Sequence, residues 1–446
     1  MTSPSLPPLL TKNPSSAGVF AKILTSVMFT VMNALFDSCQ AGVLKLDHRI
    51  VLAPMSRYRC TRQMAPNEMN AQYYAQRASE GGLLIAEATH INPEGTPIWN
   101  IYPSIREYGG EAPGIWTDEQ TDAFSKVVDA VHTRGAYMSC QLQHCGRVAQ
   151  GDIKNHPLVR DTGLPFEPVS ASAVPITALS EEGNHYNWDQ ASSPPLALDV
   201  EGIARVCEDY KQAARNAMTA GFDCVELHAG HGYLINQFLC DSVNKRTDSY
   251  GGSIENRCRL LLEVVTALLD VTGPGRVGVR LSPTFKDHIQ YFDVSDSEPE
   301  ALYGTAIEQL NEFPLAYLLL TEPRAGGLAF SAQEDPAFVA PLSSARFRKL
   351  YQGTLVAAGG FTPHSAARAV KDGHYDLIAF GRWFLSNPDL PERIRRGSPL
   401  NVYDRGKFYG GNSEGYTDYP DEEGTMGIMG KYPLMEQQDI GSALNN

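Results

Sequence analysis

Residues 355–382 read LVAAGGFTPHSAARAVKDGHYDLIAFGR, and this stretch holds one complete structural unit. An apolar run at 355–358 stops at Gly359-Gly360. Thr362-Pro363 follows, a capping residue and then proline at the first helical position, where its missing N–H is no loss. A short alanine-rich helix runs to Gly373, a residue suited to a left-handed stop. A second apolar run at 377–380 ends in Gly381-Arg382. Strand, helix, strand in this order predicts parallel pairing through a helical crossover.

The same pattern recurs outward from this unit. Strand-like runs lie at 50–54, 83–86, 136–142, 224–227, 277–281, 316–320, 355–358 and 377–380. The runs are mostly apolar, as in strands covered on both faces. Helical stretches between them carry start signals at Thr117 with Gln120, at Asp199 and at Ser253, and stop signals at Gly135, Gly221 and Gly273. Eight alternating units predict an α/β fold, a single closed (β/α)8 TIM barrel. No G-x-G-x-x-G follows the first run, so a dinucleotide-binding open sheet has no support. The connection from Leu142 to Asp199 is too long for a simple link and predicts a long loop after strand 3, a lid or binding loop. His185-Tyr186-Asn187-Trp188 within it either covers a pocket or packs the loop down. The expected organisation is an extension at 1–34, the barrel at 35–425 and a tail at 426–446.

Charge and cysteine usage narrow the function classes. Lys plus Arg is 37 and Asp plus Glu 51 in 446 residues, a net charge of −14. That disfavours nucleic acid and anionic membrane surfaces as partners. Cys39, Cys60, Cys140, Cys145, Cys207, Cys224, Cys240 and Cys258 include no C-x-x-C pair, which points to a reducing compartment without structural disulfides. The 1–34 segment has only Lys12 and Lys22 as charges and is rich in Ser and Thr. Its apolar run, 19–36, is short of the ~20 residues of a membrane span and is interrupted. An organelle transit segment, a secretory signal and a plain tail with a docking helix compete there. The expected location is the cytoplasm, or a plastid-like organelle if 1–34 is a transit segment. A monomer and a homodimer are both compatible with the sequence.

In such a barrel the chemistry sits at the C-terminal ends of the strands. There the chain places Met55-Ser56-Arg57, Glu87-Ala88-Thr89, Gln141, His228, Arg280, Glu322, Gly359-Gly360 and Gly381-Arg382. The glycines after strands 7 and 8, beside Arg382, suit a phosphate, because backbone N–H groups can approach it and the guanidinium adds a charged donor. Gln141 and Arg280 suit the amide edge of a planar heterocycle such as isoalloxazine. For Arg280 a salt bridge to Glu322 or Glu87 is the plainer reading.

His228-Ala229-Gly230-His231-Gly232-Tyr233 is the most informative hexapeptide. Two imidazoles three residues apart can donate to one carbonyl oxygen and stabilise an enolate. Tyr233 can deliver a proton. Two alternatives stand beside this. One is a metal-dependent lyase or isomerase with His228 and His231 as ligands and Glu226 or Glu87 as a third. The other is a pair of satisfied core histidines. A flavin-binding sensor or scaffold without turnover is a further alternative.

The stretch 228–257, HAGHGYLINQFLCDSVNKRTDSYGGSIENR, resembles the signature of the old yellow enzyme family, the FMN-dependent ene-reductases. The resemblance extends to IVLAPMSRYR at 50–59, QLQHCGR at 141–147, VRLSP at 279–283, GRWFLSNPDL at 381–390 and YDRGKFYGGNSEGYTDYP at 403–420. The His-His pair is similar to that of the 12-oxophytodienoate reductase branch. The resemblance implies FMN across the barrel mouth, its ring among Pro54, Met55, Ser56, Ala88, Gln141 and Arg280. The phosphate would meet Gly359, Gly360, Gly381 and Arg382. NADPH or NADH would be the reductant. The substrate would be a small enone whose oxygen meets His228 and His231, with Tyr233 as proton donor and Tyr409 in the pocket wall. Three positions depart from frequent family patterns. Ser56 stands where Thr is common, Gln143 where an aromatic is frequent, and Gly360 where a side-chain amide is sometimes found.

Overall fold

Each of the eight apolar runs is a strand, trimmed or shifted by a residue or two. They are β1 (Ile50–Leu52), β2 (Leu83–Ile85), β3 (Tyr137–Gln143), β4 (Cys224–His228), β5 (Val277–Leu281), β6 (Tyr317–Thr321), β7 (Leu355–Ala358) and β8 (Leu377–Phe380). Each pairs in parallel with the next, and β8 returns to β1 with Ala379 opposite Val51. The sheet is therefore a closed barrel with helices in the crossovers. The computed structural model describes residues 32–96, 110–149, 167–176, 194–284, 291–322 and 342–424.

The apolar runs have two faces to fill. Val51, Leu83, Ile85, Cys224, Tyr317, Leu319, Val356 and Leu377 point inward and form one core. Ile50, Leu84, Met138, Cys140, Val225, Leu227, Val279 and Leu318 point outward into a second core beneath the helices. Because side chains alternate along a strand, the inward series can be followed toward the C-terminal ends. It changes from Cys224 to Glu226 and His228, from Ser139 to Gln141, and from Gly278 to Arg280. This change from apolar to polar places the site at that mouth.

The predicted helix starts are observed. Thr117 Oγ1 accepts from Gln120 N and the Gln120 side chain accepts in return, opening Asp118–His132. Asp199 caps Val200–Thr219, Ser253 caps Ile254–Thr272, and Thr362 caps Pro363–Lys371. Such a cap contributes about 1 kcal/mol. Packing contributes more: burial of each of Phe124, Val127 and Val131 under Asp118–His132 is worth about 1.5–3 kcal/mol.

Two features lie beyond the sequence pattern. An antiparallel hairpin of Cys39–Ala41 and Leu44–Leu46 plugs the N-terminal mouth, sending Ala41, Leu44 and Leu46 into the inner core. Its turn is at Gly42, φ +58°, where a Cβ would lie 2.1 Å from Gly275 O. The long connection after β3 is also not plain loop: Val169–Ser170 pairs in parallel with Leu196–Ala197. Two-residue strands leave no periodicity to read. The 185–188 cluster lies outside the described residues, as do residues 1–31 and 425–446. The apolar N-terminal run ends in a 3-10 turn, Asn33–Phe36, with Leu35 buried. All eight cysteines are unpaired. Among the described residues no helix is long and apolar enough to cross a membrane.

Candidate active site

At one side of the mouth, β7 ends in Gly359 and Gly360, with φ of +110° and +68°. Two successive residues in this region need glycine, and their N–H groups can turn toward an anion. Gly381 follows β8 and opens the short helix Arg382–Ser386. Arg382 Nη1 donates to Tyr403 Oη at 3.3 Å, and its guanidinium lies 5.4 Å from that ring. Partial burial lowers the Arg382 pKa, and an anion beside it would oppose that shift.

Across the mouth stand Gln141 and Arg280. Both lie within strands rather than after them, because β3 runs on to Gln143 and β5 to Leu281. Gln141 is buried and donates from Nε2 to Glu226 Oε1 at 2.6 Å. Arg280 Nε donates to Thr321 Oγ1 at 3.2 Å. Neither carboxylate expected to pair with Arg280 does so. Glu87 Oε2 accepts from Arg57 N at 2.8 Å, and Glu322 Oε1 accepts from Tyr375 Oη at 2.5 Å. Among the described residues, no carboxylate lies within ion-pair distance of Arg280. Burial lowers its pKa, and Glu226 is the foremost charge opposing that shift. Pro54 and Ala88 are buried, and Met55 and Ser56 are half-buried. A Cβ at Gly381 would be 3.2 Å from Met55 Sδ. The donor set suits a ligand with a phosphate at one end and a planar ring with amide edges at the other.

The hexapeptide after β4 carries the third group. His228 is buried, and its Nδ1 accepts from Gly230 N at 3.3 Å, which leaves the proton on Nε2. Burial, then Arg280, holds its pKa well below the usual imidazole value, and the same two causes act on His231. Both rings are therefore neutral donors at pH 7. Their centroids are 5.2 Å apart, with the planes at 89°. The Tyr233 ring lies 5.1 Å from His228. His231 adopts φ +54° and donates its backbone N–H to Ser282 Oγ at 2.6 Å. Gly230 must be glycine, since a Cβ there would lie 2.4 Å from the same Ser282 Oγ.

Several residues of the mouth escaped the sequence reading. Ser282 anchors His231, and Thr321 meets Arg280. The Tyr291 ring packs edge-on against His231 at 4.6 Å. A second wall comes from the C-terminal segment. Tyr409 lies edge-on to Tyr58 at 6.1 Å. Arg57 Nε donates to Phe408 O at 2.8 Å and Nη2 to Gly415 O at 2.8 Å, while Arg59 Nε donates to Asn412 O at 3.0 Å. Behind them Tyr73 stacks on Tyr416 at 4.2 Å, with Arg77 3.8 Å from Tyr73 and Arg59 4.6 Å from Tyr416. The signal was present as Arg57 and Arg59 beside the glycine-rich 403–420 stretch, but nothing local pairs them.

Among the described residues, a metal centre on His228 and His231 finds no third ligand. Glu87 and Glu226 are engaged as described, and the described residues hold no group of three or more His, Cys, Asp or Glu placed for a metal.

Comparison with known proteins places this geometry. The chain is 42% identical over 386 residues to 12-oxophytodienoate reductase 2 of Arabidopsis thaliana, covering 86% of this chain and 94% of that one. It is 42% identical over 398 residues to 12-oxophytodienoate reductase 7 of Oryza sativa subsp. japonica, at 86% and 94% coverage. Among solved structures, morphinone reductase superposes with a TM-score of 0.73 at 40% identity, covering 89% of this chain and 98% of that one. The same enzyme has been solved in complex with tetrahydroNAD, with a TM-score of 0.70 at 40% identity and coverage of 87% and 97%. These relatives support the flavin reading and lend none to the metal-dependent alternative. The model of the NADH:flavin oxidoreductase / NADH oxidase family matches residues 34–401, and the chain belongs to that family.

Proposed function

We propose that this chain reduces the C=C bond of small α,β-unsaturated carbonyl compounds, with FMN as resident cofactor and NADPH or NADH as reductant. The observation that carries the reading is the convergence of His228, His231 and Tyr233 beside Arg280 and Gln141, which flank them on the neighbouring strands. FMN, when bound, would supply the hydride chemistry between the nicotinamide and the substrate β-carbon. Gly359, Gly360, Gly381 and Arg382 would hold its phosphate. Pro54, Met55, Ser56, Ala88, Gln141 and Arg280 would border its ring.

The remaining work falls to the protein. Nε2–H of His228 donates to the substrate carbonyl oxygen, and the His231 ring is a second donor to it. As hydride arrives at the β-carbon, negative charge collects on that oxygen, and neutral donors already in place stabilise it without rearrangement. Loss of one such donor typically reduces turnover about 10²–10³-fold. Tyr233 Oη passes a proton to the α-carbon, so hydride and proton together make the saturated product. Tyr409 and Tyr291 would set the shape of the space over the ring.

The test is FMN uptake followed by anaerobic reoxidation of the reduced protein with a panel of cyclic enones, quinones, maleimides and nitro compounds. Stoichiometric FMN binding and rapid reoxidation by enones are expected. A protein that takes up no FMN, or is reoxidised by none of the panel, refutes the reading. The catalytic unit would be a monomer or homodimer. Fusing residues 1–34 to a fluorescent reporter decides between cytoplasm and a plastid-like organelle.

A further inference from the structure

Glu226 is a fully buried carboxyl inside the barrel, and neither the fold nor the proposed chemistry yet uses it. Its position follows from register: on β4 it lies opposite Gln141 of β3 on one side and Gly278 of β5 on the other. Arg280, two residues beyond Gly278, faces the same interior. Beneath lies the Tyr317 ring, which occupies the space a Cβ at Gly278 would need, 2.4 Å from Tyr317 Cζ. Tyr317 Oη donates to Ser139 Oγ at 3.2 Å. Glu226 thus sits at the step from apolar core to polar mouth. Its Oε1 accepts from Gln141 Nε2 at 2.6 Å, and the Tyr317 hydroxyl is a second hydrogen-bonding neighbour of the carboxyl.

A carboxylate buried in a barrel core needs a compensating charge. Burial raises the Glu226 pKa and lowers that of Arg280, and each is the foremost charge opposing the other's shift, acting through space because they do not form a contact pair. The hydrogen bond to Glu226 also fixes the amide of Gln141. With Nε2 turned to the carboxylate, Gln141 Oε1 is the atom left to meet a ring N–H.

We propose that Glu226 is a positioning residue that sets the reduction potential of the bound flavin, by orienting Gln141 and by offsetting the charge of Arg280. The inference rests on the reading above, in which Gln141 and Arg280 border the ring. A cation beside the ring favours its reduced, anionic form. A carboxylate that offsets the cation holds the potential down.

Potentiometry of the FMN-loaded protein against a reference dye tests this. Glu226→Gln keeps the volume and a partner for Gln141 but removes the charge. At a fixed potential the ratio of reduced to oxidised flavin should rise at least tenfold, a midpoint about 30 mV higher for a two-electron couple. An unchanged or lower midpoint overturns the proposal. Glu226→Asp covers the case in which Glu226→Gln does not fold. It keeps the charge but is one methylene too short to reach Gln141, so FMN affinity should fall several-fold. Wild-type affinity in that variant overturns the positioning role. Gln141→Ala separates the two levels of argument. If it shifts FMN affinity or potential while both Glu226 variants match wild type, only this inference fails. If it too changes nothing, the ring does not lie on Gln141, and the functional reading fails with it.

Discussion

Ser282→Ala should weaken the grip on the substrate oxygen although Ser282 is not proposed to touch substrate. His231 is a non-glycine residue at φ +54°, a conformation that costs about 1–2 kcal/mol. Its backbone N–H donates to Ser282 Oγ at 2.6 Å, and that bond is what holds the residue there. Deleting the acceptor removes about 0.5–1.5 kcal/mol of net bond, or about 1–3 kcal/mol where the donor stays buried. A loss of about 1–2 kcal/mol in the pose of His231 is a factor of about 5–30 in affinity. Phenol is a suitable probe, since a phenolate oxygen imitates the enolate oxygen held by His228 and His231. Titration of the FMN-loaded protein with phenol, followed by flavin absorbance, gives Kd directly. Gly230→Ala should reproduce the effect, because its Cβ would sit 2.4 Å from Ser282 Oγ and displace it. The double variant should lose little more than either single one, since both break the same bond. Wild-type phenol affinity in Ser282→Ala, alongside weakened binding in His231→Ala, would refute the reasoning.

Three further outcomes follow from the same geometry. Tyr233→Phe should slow enone reduction by about 10²–10⁴-fold, the usual worth of a positioned proton donor, while leaving flavin reduction by NADPH unaltered; stopped-flow measurement of both half-reactions checks this, and equal slowing of the two contradicts it. Gly278→Ala overpacks the barrel against Tyr317 and should lower stability by about 1–3 kcal/mol, with a matching fall in the urea midpoint; a wild-type midpoint would show that the ring can move aside. Burial pushes His48 down to about 4, below the ~6.5 of an unfolded chain. Between these values the unfolded chain binds more protons, so the stability contributed by neutral His48 is complete above about pH 6.5 and is lost as pH falls toward 4. The loss is about 1.4 kcal/mol per pH unit, and His48→Gln should lack that share of it; parallel pH–stability curves for the two proteins would count against the assignment.

The barrel was legible because its signals are local. A strand covered on both faces needs a largely apolar run, and Leu355–Ala358 and Leu377–Phe380 are unbroken examples. Caps such as Thr117 with Gln120 close within one turn. The hexapeptide from His228 to Tyr233 was legible for the same reason, since three chemical groups in six residues must share one strand end. What stayed hidden depends on partners far along the chain. The plug formed by Cys39–Ala41 and Leu44–Leu46 is recognisable only once Gly275 is known to lie against its turn. Arg280 sits in sequence beside no acid, so Glu322 and Glu87 were as reasonable as Glu226. Only the pairing of β4 with β5 decides between them. Ser282 looks like any serine after a strand until the left-handed His231 is seen to need it.

The stacking of Tyr73 on Tyr416, with guanidiniums of Arg57, Arg59 and Arg77 around the pair, joins the first crossover to the 403–424 segment. Polypeptides are made from the N-terminus, so the chain completes all eight strands at Phe380 before Tyr416 exists. Until residues 403–417 arrive, the carbonyls that receive Arg57 and Arg59 are missing, and one wall of the mouth is open. The segment is therefore the last piece of that wall to be in place. A chain stopped short of residue 403 keeps every strand of the barrel yet leaves Arg57 without the carbonyls of Phe408 and Gly415, and Arg59 without that of Asn412.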